Sequence, residues 1–270
     1  MSSLALILLT SMYFVRRLMY EVFAKSHLLL ALLVGVALVE HLLPKGPKKF
    51  IYPVISLSLW GSNFLLQAII VVYRNFGGRR QDKGRASILH FFSGSDNETV
   101  TAMRVTIRLR RPLTIQPGQY AYLIFSDMGI RGRLQSHPHV ITWWDNSMRA
   151  MELSFLIQPH SGLSSQLIAR KSISNVMIDG PYGKNLHLDE YETVILIAKG
   201  IGIAGILPYA RHMAYRRLSK DKSNEEYRRG LMTRKLDIIW VLDDNYQDMW
   251  LSDYMQQLQM KDKDKVNESR

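Results

Sequence analysis

Two long apolar stretches near the start of the chain constrain its fold most strongly. Residues 26–43 read SHLLLALLVGVALVEHLL and residues 50–73 read FIYPVISLSLWGSNFLLQAIIVVY. A helix needs about 20 predominantly apolar residues to cross a bilayer, so each stretch is long enough to span a membrane. A Pro-Lys-Gly-Pro run at 44–47 separates the two, because proline and glycine end helices. The sequence therefore predicts a membrane region within residues 1–76.

The residues that flank these stretches predict an orientation. Residues 4–15 are apolar but too short to cross a bilayer, and we interpret them as the tail of a membrane helix whose start is missing. A signal peptide is the alternative, but the basic residues follow this apolar core and do not precede it. Five basic residues lie within residues 74–85, which places the end of the second span in the cytosol. Three lysines within residues 45–49 lie on the opposite side and weaken that assignment.

Two histidines lie in the first apolar stretch. His27 and His41 are 14 positions apart, about 21 Å of helical rise and about 40° short of four full turns. Both imidazoles therefore leave one face of the helix, one near each side of the membrane. Imidazole is a common axial ligand of haem iron. The alternative is structural, with His27 at the membrane interface and His41 at the helix end.

The middle of the chain changes to the period of a β-strand. Residues 104–110 alternate strictly, with Val105, Ile107 and Leu109 on one face, as in a half-buried strand. Residues 119–125 and 151–157 are also predicted strands, and turn residues lie between the strands. Several short strands of this kind predict a small antiparallel barrel or sandwich.

Residues 136–144, SHPHVITWW, lie between these strands and are the candidate binding stretch. His137 and Thr142 can form hydrogen bonds, and Tyr120 and Tyr122 share a strand face on which a ring system could stack. The alternative is a barrel core with a His-Pro turn. A second candidate is the loop at 158–167, where Gly162 and Ser164 lie. The backbone amides at its helix start suit a phosphate, although Ser164 could equally be only an N-cap.

The C-terminal part carries a dinucleotide pattern. The apolar run TVILIA at 193–198 is typical of a buried parallel strand, and Gly200-Ile201-Gly202-Ile203-Ala204-Gly205 follows it and opens a helix. Glycines at this spacing let the backbone approach a pyrophosphate. No acid follows about 20 residues later at the end of a second strand, and the next predicted strand, 236–242, ends at two aspartates. A tight turn, DGPYG, precedes this part at 179–183.

Composition narrows the class of protein. The net charge is +12, and we attribute much of it to a basic insert at 211–235 that we expect to be a solvated loop. No nucleic-acid motif accompanies the insert, so we predict no nucleic-acid partner. The chain has no cysteine, which excludes disulfides and cysteine-ligated metal sites. Residues 248–260 are predicted to be helical and residues 261–270 to be a disordered charged tail.

The order of these pieces resembles fungal ferric and cupric reductases, within the ferric reductase and NADPH oxidase superfamily. The motifs RRLMYEVFAKSH and VVYRNF resemble parts of its membrane helices, IQPGQYAYLIF and QSHPHVITWW its flavin-binding segments, and DGPYG and AKGIGIAGILPY its pyridine-nucleotide segments. The resemblance implies a multi-domain protein with transmembrane α-helices, an antiparallel β-barrel FAD-binding domain and an incomplete ferredoxin-reductase-like α/β nucleotide-binding domain. The implied ranges are 1–76, 85–187 and 190–260, with a charged tail at 261–270. His139 and Lys199 depart from the family pattern, which usually has an aromatic residue and a glycine there.

The resemblance also implies cofactors and site residues. FAD, NADPH and haem b would carry the chemistry, so no catalytic side chain is expected. The nucleotide site would be shaped by Gly180, Pro181, Gly183, Gly200 and Gly202. His27 and His41 would each give one axial ligand to a haem iron, with the haem ligand set incomplete in this chain. The flavin-binding residues would be His137, Pro138, Val140, Thr142, Gln119, Tyr120, Gly162 and Ser164.

The implied activity is transmembrane electron transfer from NADPH through FAD and haem to ferric or cupric chelates, in iron or copper uptake. We expect an integral protein of the plasma membrane with cytosolic FAD and nucleotide domains, as a homo-oligomer or with a partner subunit. A partner haem helix and a C-terminal Cys-Gly segment of the family are not found in the sequence, so we interpret the chain as a truncated member. Two alternatives remain: a superoxide-generating NADPH oxidase, and a catalytically silent fragment that binds flavin or a partner subunit.

Overall fold

The computed structural model describes residues 20–76, 84–93, 99–129, 137–145, 149–160, 163–218 and 232–268. The chain divides into two compact units, residues 1–72 and 73–270. Two helices account for the described part of the first unit: α1, Tyr20–Leu42, and α2, Pro47–Asn75, whose last three residues belong to the second unit. A short 3-10 turn, Leu43–Lys45, joins them at the predicted break.

Both helices meet the length and composition of membrane spans, over Phe23–Lys45 and Pro47–Asn75. Their apolar side chains are widely exposed, as Leu59 at 67% and Leu65 at 61% illustrate. Gly35 permits close packing of the pair, since a Cβ there would lie 2.8 Å from a methyl carbon of Leu57. The predicted helical stretches at 26–43 and 50–73 are therefore confirmed as helices, while the segment 4–15 lies outside the described residues.

The second unit contains two antiparallel sheets. One has the strand order β5-β6-β2-β1-β7 and the other the order β4-β3-β8. The strands of the first sheet are β1, Ala86–Phe92; β2, Val100–Leu113; β5, Trp143–Trp144; β6, Ala150–Ile157; and β7, Ser172–Ile173. The strands of the second are β3, Tyr120–Phe125; β4, His137–Val140; and β8, Val176–Tyr182.

These two sheets share one apolar core. Val105, Ile107 and Leu109 are buried on one face of β2, as their alternation predicted. They belong to the same cluster as Leu123 and Phe125 of the second sheet. The strand pairs of the described residues form two sheets facing one core, so the predicted barrel is present in an open form.

An α/β lobe completes the second unit. Its two strands, β9 and β10, pair in parallel, with Lys235 opposite Thr193 and Val241 opposite Lys199. A short helix, α3, Leu163–Leu167, precedes this lobe. The elements of the lobe are β9, Thr193–Lys199; a 3-10 turn, Gly200–Gly202; α4, Ile203–Leu218; β10, Lys235–Val241; a 3-10 segment, Asn245–Trp250; and α5, Ser252–Glu268. The predicted fold class, apolar helices followed by a β-rich domain and a nucleotide-type α/β lobe, is confirmed.

Two predictions about charged segments were wrong. Residues 211–218 of the predicted solvated insert belong to α4, and Arg211 is only 1% exposed because aromatic side chains surround it. Arg216 of the same helix forms an ion pair with the buried Asp189. The predicted disordered tail at 261–270 is helical as far as Glu268, since α5 continues into it. Of the rest of the insert, residues 219–231 lie outside the described part of the chain, and Lys235 belongs to β10.

Candidate functional site

Three tyrosines form an aromatic face on the three-stranded sheet. Tyr120 and Tyr122 lie on β3, and Tyr182 lies at the end of β8 with each pair of ring centroids 5.9 Å apart. Alternation explains the face, because Ala121 and the other core-facing residues of β3 are fully buried while the tyrosines are partly exposed. The hydroxyl of Tyr182 donates a hydrogen bond to Asp179. The result is a half-exposed aromatic surface on which a planar ring can stack.

The neighbouring strand β4 adds Pro138 and Val140 to the aromatic face, but not His137. Pro138 pairs with Tyr122, and Val140 pairs with Tyr120. Directly paired residues share a face, so Pro138 and Val140 lie beside the tyrosines. His137 pairs with Leu123 and therefore belongs to the opposite face of the strand. The structure thus brings Tyr120, Pro138 and Val140 together and separates His137 from them.

The second histidine of this strand is held neutral. His139 pairs with Ala121 and, like His137, belongs to the opposite face of β4. Burial, and to a smaller extent the charge of His137, lowers the pKa of His139 to about 4. The imidazole of His139 is therefore uncharged at neutral pH, on the side of the sheet opposite the tyrosines.

Thr142 and Gln119 have structural contacts of their own. Thr142 is 1% exposed, and its hydroxyl accepts a hydrogen bond from the backbone N–H of Leu156 at 3.3 Å. The side-chain oxygen of Gln119 accepts one from the backbone N–H of Gln116 at 2.8 Å, which closes the Pro-Gly turn. The backbone carbonyl of Gln119 accepts another from Ile141 N–H at 3.0 Å. Gln119 therefore joins the start of β3 to the end of β4, and Thr142 fastens the chain after β4 to β6.

In the predicted phosphate loop, Ser164 is the second residue of α3, and its hydroxyl bonds back to the chain before the helix, whereas an N-cap side chain accepts from an amide of the helix itself. The hydroxyl of Ser164 accepts a hydrogen bond from the backbone N–H of His160 at 2.8 Å and donates one to the carbonyl of the same residue at 3.1 Å. Both contacts stabilise the chain just before α3. Gly162 lies outside the described residues.

The DGPYG turn lies against β3 and the Pro-Gly turn that precedes it. A Cβ at Gly180 would lie 3.1 Å from the Cα of Ala121, and one at Gly183 would lie 2.8 Å from the carbonyl oxygen of Gly118. Glycine is needed here because the backbones approach so closely. A Cβ at Gly118 would in turn overlap the hydroxyl of Tyr209 on α4. The DGPYG turn, including Pro181, therefore packs on the start of β3, and the neighbouring Gly118 packs against α4.

The glycine loop lies at the carboxyl edge of β9 and β10, where open α/β sheets bind ligands. Gly200 is buried, and its carbonyl accepts a hydrogen bond from the indole N–H of Trp240 at 2.9 Å. Gly202 is open, since a Cβ added there would have the side chain of Ala198 as its nearest neighbour, at 3.9 Å. Because α4 begins at Ile203, its first backbone amides lie at this edge, where they suit a phosphate.

The tryptophan pair has a structural role that the sequence did not suggest. Trp144 lies in the core of the β-rich part, while Trp143 stacks on Tyr254 of α5 with ring centroids 4.4 Å apart and planes 3° apart. The guanidinium of Arg211 lies 4.2 Å from the ring centroid of Trp144 and 4.3 Å from that of Tyr215. These stacked contacts fasten the α/β lobe to the β-rich part.

Asn75 and Arg74 were missed by the sequence reasoning. The side-chain amide of Asn75 donates to the carbonyl of Ile178 at 2.8 Å, and its oxygen accepts from the N–H of Ile178 at 2.8 Å. Arg74 donates a hydrogen bond to the carbonyl of Gly180. Asn75 is 7% exposed, so it satisfies one edge of β8 as a further strand would. A lone asparagine after an apolar run carries no local signal of this contact.

The two histidines of the first unit both lie on α1, as predicted. The Nε2 of His41 lies 2.7 Å from the Nζ of Lys45. Among the described residues, the buried Nδ1 of His27 has no hydrogen-bond partner, and its ring centroid lies 5.4 Å from that of Phe23. No group of three or more His, Cys, Asp or Glu side chains able to hold a metal occurs in the described ranges. Residues 20–76 contain no histidine besides His27 and His41.

Two protein-family profiles match the second unit. The profile of the FAD-binding domain matches residues 96–186, and that of the ferric reductase NAD binding domain matches residues 191–269. The second unit is therefore similar to the FAD-binding domain and the NAD-binding domain of ferric reductases. The aromatic face lies in the first matched range, and the glycine loop lies in the second.

Yeast ferric reductase components are similar to most of this chain. Ferric reductase transmembrane component 6 of Saccharomyces cerevisiae is 30% identical over 217 residues, which are 77% of this chain and 28% of the relative. Ferric/cupric reductase transmembrane component 7 of the same yeast is 24% identical over 208 residues, 76% of this chain and 31% of the relative. The FAD/NAD-binding domain of a Vibrio cholerae nitric oxide dioxygenase aligns at a TM-score of 0.45 and 13% identity, covering 66% of this chain and 69% of that one. This ferric reductase homologue thus spans less than a third of the length of these yeast relatives.

Proposed function

We propose that this ferric reductase homologue passes electrons from a reduced nicotinamide nucleotide to FAD and onward, across a membrane, toward a ferric or cupric chelate. One observation supports the proposal most directly. The tyrosine face and the glycine loop occur in one compact unit, in which the DGPYG turn packs on the start of β3 and the adjacent Gly118 packs against Tyr209 of α4. A flavin on the tyrosines and a nucleotide on the loop would therefore be neighbours.

The residues of the aromatic face fit FAD, but they differ in part from the predicted flavin-binding residues. Tyr120, Pro138 and Val140 form one face, and Tyr122 and Tyr182 extend it. We propose that the isoalloxazine ring stacks on this face. His137, Thr142 and Gln119 would then act by holding β3 and β4, and Gly162 and Ser164 remain the predicted pyrophosphate contacts. When bound, FAD accepts two electrons together and releases them singly.

The glycine positions fit a dinucleotide. We propose that Gly200 and Gly202 bind the pyrophosphate through the backbone at the start of α4. Gly180, Pro181 and Gly183 would shape the place where the nicotinamide meets the flavin. No side chain need transfer a proton, since the hydride comes from the nucleotide.

The two histidines of α1 are the residues that would hold haem. His27 and His41 would each bind a different haem, which would carry single electrons, and the Nδ1 of His27, which has no partner among the described residues, suits that role. The second ligand of each iron would come from outside residues 20–76, so these residues alone do not define an electron-transfer step through haem. We propose a plasma-membrane protein with its second unit in the cytosol, working as a homo-oligomer or with a partner subunit.

A flavin-binding measurement on the full chain in detergent tests the central claim. Tyr122→Leu should weaken FAD binding by roughly three- to tenfold, because an aromatic contact contributes about 0.5–1.5 kcal/mol beyond its area. Tyr191→Leu is the matched control, since Tyr191 lies in the same unit, is 62% exposed and is not one of the three tyrosines of the face. Equal loss in both variants would reject the tyrosine face as the flavin site.

The same preparation separates the alternative functions. A reductase would bleach bound flavin when reduced nucleotide is added without oxygen, and would then reduce ferric citrate. Superoxide formation in air with no preference for ferric citrate would indicate an oxidase. Flavin binding without bleaching would indicate a catalytically silent flavin-binding chain.

A further inference from the structure

The carboxylate of Asp243 lies against the first glycine of the nucleotide loop. Asp243 follows β10, which ends level with β9 because Val241 pairs with Lys199. A Cβ built on Gly200 would lie 2.9 Å from the Oδ2 of Asp243. The sequence separates the two residues by more than 40 positions, so the spacing rule for a ribose-binding acid failed to find this residue. The tertiary structure nevertheless puts an acid at the end of the strand adjacent to the loop.

Asp243 is both held in place and accessible. Its backbone N–H donates to the Oε1 of Gln247 at 3.0 Å, and Gln247 is 5% exposed. The Oδ1 of Asp243 lies 2.9 Å from the Nζ of Lys199, and the Asp243 side chain is still 47% exposed. The hydrogen bond and charge of Asp243 raise the pKa of Lys199. The carboxylate therefore remains available to a ligand on the loop, while the lysine charge next to it is compensated.

An acid in this position discriminates between the two nicotinamide nucleotides. At the end of the second strand of a dinucleotide fold, a carboxylate accepts hydrogen bonds from the adenosine ribose, whereas a 2′-phosphate requires a cation. A 2′-phosphate here would meet Asp243, followed directly by Asp244. Lys199 could attract the phosphate only by leaving its partner carboxylate.

We infer that Asp243 makes this chain select NADH over NADPH by accepting a hydrogen bond from the adenosine ribose. The inference rests on the proposed nucleotide site, and it replaces the expectation of NADPH, which came from the family resemblance. Asp243 is a specificity-determining residue in this view. Lys199, which stands where the family usually has a glycine, orients the carboxylate of Asp243.

Binding of two redox-inert probes to the purified full-length chain in detergent tests the inference. The probes are ADP-ribose and ADP-ribose 2′-phosphate, measured by isothermal titration calorimetry. The wild-type chain should bind ADP-ribose about tenfold more tightly or better, because the second probe adds phosphate charge beside a carboxylate. Asp243→Asn should reduce this ratio by about tenfold, because it removes the repulsion and frees Lys199.

Two further variants make the test specific. Asp244→Asn removes the same charge one position later, where the carboxylate accepts a hydrogen bond from Tyr246 at 2.8 Å, and it should change the ratio by less than about threefold. Lys199→Met should leave the preference for ADP-ribose intact or increase it. A melting curve of each variant confirms that it is folded.

The outcomes separate the two claims. If the wild-type chain binds the 2′-phosphate probe as tightly as ADP-ribose, or if Asp243→Asn leaves the ratio unchanged, the role of Asp243 is rejected while the nucleotide site stands. If neither probe binds the folded wild-type chain, the nucleotide site itself is rejected, and the role of Asp243 is rejected with it.

Discussion

The contact between Arg104 and α5 should be a main source of stability between the β-rich part and the α/β lobe. Arg104 lies on β2 and is 9% exposed. Its guanidinium donates to both oxygens of Asp253, at 2.6 and 2.7 Å, and to the carbonyl of Trp250 at 2.6 Å. It also lies 4.3 Å from the ring centroid of Tyr254. The substitution Arg104→Met removes these interactions while keeping a side chain of similar length.

The expected loss is about 3 kcal/mol in the free energy of unfolding. A hydrogen bond to a charged group contributes about 1.5–3 kcal/mol, and a partly desolvated cation–π contact contributes about 1 kcal/mol. Two effects reduce the sum. Asp253 has a side chain that is 49% exposed, so its charge returns to water when Arg104 is removed. Methionine also retains the packing of the aliphatic stem.

The measurement is urea unfolding of the full chain in detergent, followed by tryptophan fluorescence. Four of the five tryptophans lie in the second unit, so the signal reports mainly on that unit. The matched control is Arg108→Met on the same strand, whose partner Glu152 lies 3.5 Å away. Both side chains of that pair are about half exposed, so the control should cost less than about 0.5 kcal/mol.

A double-mutant cycle with Asp253→Asn isolates the ion pair from the other contacts. We expect a coupling energy of about 1 kcal/mol, because half of Asp253 is in solvent. Equal unfolding free energies for Arg104→Met and Arg108→Met would refute the reasoning, since burial would then have no influence on the contact.

Three further predictions concern close packing, a buried amide and acid sensitivity. Gly118→Ala should lower the free energy of unfolding by about 3 kcal/mol, because Gly118 has a positive φ and the added Cβ clashes with Tyr209. Gly129→Ala, also at positive φ but with no described atom within 4 Å, should lower it by about 1 kcal/mol. Adding Tyr209→Phe to Gly118→Ala should recover part of the difference, measured by urea unfolding. Asn75→Ala should cost about 2–4 kcal/mol and speed hydrogen exchange at the Ile178 amide, because both backbone groups of Ile178 lose their partner; an unchanged exchange rate would contradict the contact. Burial lowers the pKa of His139 and of His212 to about 4, helped by the charges of His137 at the first and of Arg211 and His187 at the second. The unfolded state therefore binds more protons, and stability should fall as pH drops below about 6.5, by about 2 kcal/mol per histidine between about pH 7 and about pH 5. His212→Gln should flatten that dependence in urea unfolding, and His160→Gln, at an exposed site, should leave it as in the wild type.

The sequence alone determined the elements that depend on neighbouring residues. Alternation placed Val105 and Ile107 on the buried face of β2, because successive side chains of a strand point to opposite sides. The two apolar stretches predicted two long helices, because each has enough consecutive apolar residues to span a bilayer. The glycine loop was found because strand, glycines and helix follow one another directly in the chain.

Only the tertiary structure decided which of these elements meet. The pairing of β4 with β3 put Pro138 and Val140, and not His137, beside the tyrosines, and a shift of one residue would have reversed that outcome. Likewise, Asn75 reaches Ile178 across 103 positions, and Asp243 reaches Gly200 across the basic insert. A local pattern records the solvent exposure of a residue and its spacing from its neighbours. It does not indicate which distant residue becomes the partner. The long-range pairing of the elements decides this, and with it which polar and aromatic side chains form a site.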